Sequence, residues 1–126
     1  MFESLTIFRT AGALANYAGR QEALIARNIA NADTPGYRAQ TLAPFAAMVD
    51  GPTAPQMRAT RPGHLAAPEA MTAAAPQDRP TEAAPNGNTV AIEDEMVAAS
   101  QTAQDHARAM AIYKHALTVL RLSLGR

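Results

Sequence analysis

At 126 residues and 48% apolar content the chain is long enough for one domain, but alanine dominates that content, and three Phe, three Tyr and no Trp leave few large anchors for a deep enclosed pocket. Eleven basic and eleven acidic side chains cancel, and they cancel again within residues 1–37, 38–92 and 93–126. Without a concentrated positive field, neither nucleic acid nor direct lipid binding is expected, and the lack of cysteine excludes a disulfide framework or a thiolate metal site.

The first region, residues 1–40, opens with a proline-free stretch in which Ile7, Ala11, Leu14, Ala18, Ile25 and Ala32 recur at helical three and four spacing. Gln21 and Asn28 are polar interruptions of that stripe, while Arg9, Arg20 and Arg27 gather on the opposite side as a solvated face. The opening residues lack a basic lead, a continuous apolar centre and a cleavage site, so they do not read as a secretory signal peptide.

That helix should stop within NIANADTPGY, which is Asn28, Ile29, Ala30, Asn31, Ala32, Asp33, Thr34, Pro35, Gly36 and Tyr37. Pro35 cannot continue a helix and presets φ at the second position of a turn; Gly36 supplies the positive φ that a type II turn needs at its third. The turn does not explain Asn28 and Asn31, poor helix formers three apart on one side. They are expected to be interhelical hydrogen-bonding groups that set register at some cost in stability.

In the second region, residues 41–89, the character reverses: eight of the nine prolines lie here, interleaved with alanine, and no periodicity persists. The segment is expected to be disordered or ordered by a partner, with short extended pieces around residues 56–60 and 89–91. In the third region, residues 90–126, a second long helix is predicted. Met96, Ala99, Ala103, Met110, Tyr113, Leu117, Leu120 and Leu124 form its main stripe, broken at His106. Glu93, Asp94 and Glu95 occupy its first turn and Arg121 its last, each sign where the macrodipole favours it, and Gly125 supplies a stop.

The predicted fold is mainly α: two long terminal helices pair as an antiparallel coiled-coil-like hairpin, joined by a Pro/Ala-rich loop or short-β insert. Ile7, Leu14, Ala18 and Ile25 would pack against Met96, Ala103, Met110, Tyr113, Leu117, Leu120 and Leu124. A second apolar row, Val97, Ile112, Val119 and Leu122, would stay wet in a lone hairpin, so the core is expected to be completed by neighbouring subunits.

Catalytic chemistry finds no foothold. Successive helix positions point about 100° apart, so Glu93, Asp94 and Glu95 do not converge as metal ligands and read as dipole partners. His106 reads as a hydrogen-bonded interface histidine, since no carboxylate or nucleophile is placed beside it. Ser4, Ser100 and Ser123 lie in helical patterns without a nucleophile's turn. No catalytic residue, cofactor or metal is expected, and a structural or adaptor role is favoured; the residues alone leave a closed helical adaptor or secretion chaperone open.

Residues 28–37 with the preceding helix closely resemble the N-terminal signature of bacterial flagellar rod and hook proteins, whose helical C-terminus pairs with that first helix. The short middle is similar to that of the small proximal rod members. Thr60, His64 and Leu65 resemble a Thr-x-x-x-His-aliphatic segment of those members. Gly87, Asn88 and Val90, in Asn86-Gly87-Asn88-Thr89-Val90, resemble the Asp-Gly-Asn-x-Val lead into their C-terminal helix, with Asn86 in place of the usual aspartate. The resemblance implies a non-enzymatic rod subunit, exported by the flagellar type III apparatus without a cleaved signal and assembled within the periplasm. Its implied partners are other copies of itself, other rod proteins, the rod-base adaptor and the MS ring.

Overall fold

The computed structural model describes residues 2–49 and 74–125. Among them run α1 (Phe2–Ala30), β1 (Gln40–Thr41), α2 (Phe45–Val49), β2 (Gln77–Asp78) and α3 (Ile92–Ser123). The two long helices hold 29 and 32 residues and pack against each other. Asn28 meets Glu95 at one end and the Phe8 ring meets Tyr113 edge-on at 5.1 Å toward the other, so the pair is antiparallel. Between them a two-stranded antiparallel ladder sets Gln40 opposite Asp78 and Thr41 opposite Gln77.

Burial along α1 follows the apolar stripe: Ala11, Ala18 and Ile25 are buried, Leu14 is half-buried, and Ile7 is largely exposed near the free end. Small residues dominate this seam, which lets the helices approach closely but limits the apolar area they hide. The core therefore leans on polar groups as well. Gln21, Asn28, Asn88, Glu95 and Thr102 are buried, and the largest fully buried side chains are Ile25, Glu95 and Asn28.

On α3 the seam differs from the one apolar periodicity favours. Glu95, Thr102 and Ala109 are its buried residues, each one position before Met96, Ala103 and Met110, so the helix is turned by about 100° from the expected face. Met96 is 65% exposed. Toward the C-terminal half the two faces converge: Leu117 and Leu120 are half-buried and Tyr113 touches Phe8. Val97, Ile112, Val119, Leu122 and Leu124 all stand exposed. α3 ends where Gly125, at φ 73, turns the chain out of the helix.

Residues 74–91 are not left to a partner for order. Arg20 donates to the Ala74 carbonyl, Arg79 N–H donates to the Ala39 carbonyl, and residues 84–91 return along the 31–39 segment. The extended piece expected at 56–60 lies outside the described residues; of residues 89–91 none joins the two-stranded ladder, and Ala91 has extended backbone angles.

Candidate functional site

α1 ends in a series of tight turns. Asn31, Ala32 and Thr34 N–H groups donate to the carbonyls of Asn28, Ile29 and Asn31, and Tyr37 N–H donates to Thr34, closing the turn that Pro35 and Gly36 occupy. Gly36 has φ 71, the third-position geometry of a type II turn.

Asn28 is the hub of the site. Its Nδ2 donates to the Gln40 carbonyl at 2.9 Å and to Glu95 Oε1 at 3.1 Å, while its Oδ1 accepts from Gln40 N–H at 3.0 Å and the Tyr37 hydroxyl at 3.2 Å. One amide thus ties the backbone of β1, the aromatic of the turn and the opposite helix. Two turns earlier on the same face, Gln21 accepts from Leu42 N–H and donates to the Thr41 hydroxyl, so the two interruptions of the apolar stripe together hold β1 along α1. Asn31 differs from expectation. Its amide donates to the Arg27 carbonyl of its own helix and accepts from Thr34 Oγ1, a local cap that crosses to no other helix.

Glu95 is the residue that sequence reasoning placed as one of three dipole partners. Glu93 and Asp94 are exposed at the helix start in keeping with that role, whereas Glu95 is fully buried. Its Oε1 receives both Asn28 and Arg79 Nη1, the latter at 2.9 Å, while Oε2 has no hydrogen-bond partner among the described residues. Its signal was its place in the seven-residue series Glu95, Thr102, Ala109 and Ala116, a row of small and polar residues facing a helix with a buried asparagine.

The loop before α3 closes on the turn after α1. Asn88, 3% exposed, aims its Nδ2 at the carbonyls of Asn31 (2.9 Å), Ala32 (2.7 Å) and Thr34 (2.9 Å). Its Oδ1 accepts from Val90 N–H at 2.7 Å, so Val90 is aligned for the entry to α3 by the same amide. Asn86 Oδ1 accepts from Asn88 N–H, a task an aspartate performs equally well, which accounts for the ease of that exchange. Gly36 N–H donates to the Asn86 carbonyl, and Thr89 N–H to that of Tyr37. Gly87, at φ 81, lies against this turn, where an added Cβ would meet Gly36 Cα at an ordinary contact distance of 3.5 Å. Thr60, His64 and Leu65 lie outside the described residues.

Taken together, these groups hold backbone and join the two long helices at one end. They define a structural joint in a helix-pairing protein; among the described residues no His, Cys, Asp and Glu group could hold a metal. Residues 10–38 match the family described as Flagella basal body rod protein. Over those residues the chain is similar to the flagellar basal body rod proteins. The matched segment spans α1 from Thr10, the whole 28–37 turn and Arg38, which is the part that Asn88 and Glu95 clasp. The comparison with curated proteins gave no match. Among the described residues, no helix is long and apolar enough to cross a membrane.

Proposed function

We propose that this chain is a subunit of the proximal flagellar rod, most like the rod protein FlgB. It would assemble in the periplasm with copies of itself and other rod proteins after export through the flagellar type III apparatus. The observation that carries this reading is the family motif at residues 10–38 locked to the Asn86-Gly87-Asn88-Thr89-Val90 lead of α3, so that both resembling segments meet in one joint. The short middle region, and Gly36, Tyr37 and Arg38 following the asparagines without extra residues, favour FlgB over its relative FlgC.

Exposed apolar groups supply the packing such an assembly requires. Val97, Ile112, Val119 and Leu122 line one side of α3, and an apolar groove of about 510 Å³ lies between the helices, lined by Thr6, Ile7, Thr10, Ala11, Leu14 and Ile112. Repeated head-to-tail contacts that do not close produce a helical array, and long paired helices packed in this way would transmit torque through many side-chain contacts.

Leu122 tests the idea because it is 72% exposed. Leu122→Asp should leave the helicity of the free chain unchanged and abolish its incorporation into rods. Normal rods that contain the variant would sink the proposal.

A further inference from the structure

α3 turns toward α1 a face poorer in apolar groups than the one beside it. The unused seam is the N-terminal part of the expected heptad series, Met96, Ala103 and Met110, with His106 as its polar break; from Tyr113 onward the expected face already meets α1. The seam in use runs through Glu95, Thr102 and Ala109. Hydrophobic burial alone would rotate α3 by about one helical position and bury the methionines.

What opposes that rotation is the contact of buried Glu95 with buried Asn28 and half-buried Arg79. Rotation would carry Glu95 Oε1 away from Asn28 Nδ2 and from Arg79 Nη1, leaving one N–H of the buried amide without its carboxylate partner and breaking the ion pair. Arg79 adds a second condition, since its own backbone N–H is fixed to the Ala39 carbonyl by the ladder. The trio can close only when α1, α3 and the 77–90 segment are all docked in this register.

We infer that Glu95, read by Asn28 and Arg79, is a pairing key: it selects which face of α3 meets α1 and keeps the methionine face outward. A single buried polar contact setting the register of paired helices at some cost in stability is the best-attested use of such groups. The key operates within one chain, so it stands apart from the rod reading; that reading only gives the outward methionine face something to meet.

The test uses the full chain, which has no native cysteine, with a single thiol introduced by Ala109→Cys or by Met110→Cys. Ala109 is 1% exposed and Met110 39%, so in the otherwise unchanged protein the thiol at position 110 should react with a maleimide at least about 10-fold faster than the thiol at position 109. With Glu95→Ala added, the order should invert while circular dichroism shows the helices retained. Glu95→Gln, which keeps the shape and the acceptor for Asn28, should preserve the original order. Continued protection of the position-109 thiol in the Glu95→Ala protein would overturn the proposal. Loss of helicity with both thiols reactive would overturn it too, because Glu95 would then stabilise the fold without selecting a face.

Discussion

Asn88→Ala is the most informative single substitution at the joint. The wild-type amide has two N–H protons shared among the carbonyls of Asn31, Ala32 and Thr34, and one oxygen that accepts from Val90. Alanine removes three hydrogen bonds' worth of donors and acceptor at a site only 3% exposed, where water cannot readily replace them. At roughly 0.5–1.5 kcal/mol per bond the loss comes to about 3 kcal/mol. For a chain of this size that should lower the thermal midpoint by about 10 °C, read by circular dichroism with a urea titration as a check. Asn88→Asp sharpens the test. It keeps an acceptor for Val90 but sets a carboxylate against three carbonyl oxygens, so it should be at least as damaging as alanine. A shift below about 0.5 kcal/mol for Ala, or rescue by Asp, would refute the reasoning, because the role of Asn88 would then not rest on its donors.

Gly36→Ala and Gly87→Ala should each destabilise by about 1–2 kcal/mol, since both positions hold positive φ. At Gly87 the added Cβ meets Gly36 Cα at an ordinary 3.5 Å, so denaturant midpoints should show the backbone penalty without a steric one. Tyr17 gives a pH dependence: burial, aided by the negative charge of Asp105, raises its phenol above the ordinary value of 10.0. The folded chain then holds this proton more tightly than the unfolded chain, so Tyr17 leaves stability unchanged below that pH and lowers it as pH climbs through and above it. Tyr17→Phe should remove that part of the alkaline loss, measured as unfolding midpoints across the range.

Local chemistry was legible from residue order. Pro35 and Gly36 announce their turn because both encode backbone angles directly, and the proline-free stretches announce two long helices. Asn28 was readable as an interhelical group because propensity gave no other reason for it. The face of α3 was not readable. Apolar spacing favours Met96 over Glu95, and the burial of Glu95 depends on Asn28, 67 residues away, and on Arg79, 16 residues away. Asn31 departs from the interhelical role for the opposite reason, since its partners are the nearby Arg27 carbonyl and Thr34 hydroxyl. The 74–91 segment looked too poor in apolar residues to order itself. Its order instead comes from hydrogen bonds to the α1 turn, which composition does not reveal.

The most direct test of the rod proposal is electron cryomicroscopy of basal bodies isolated from cells lacking this gene. A proximal rod subunit should be indispensable, so the expected particles carry membrane rings without a rod, and rods return when the full chain is restored. Complete rods in the deletion strain would contradict the assignment.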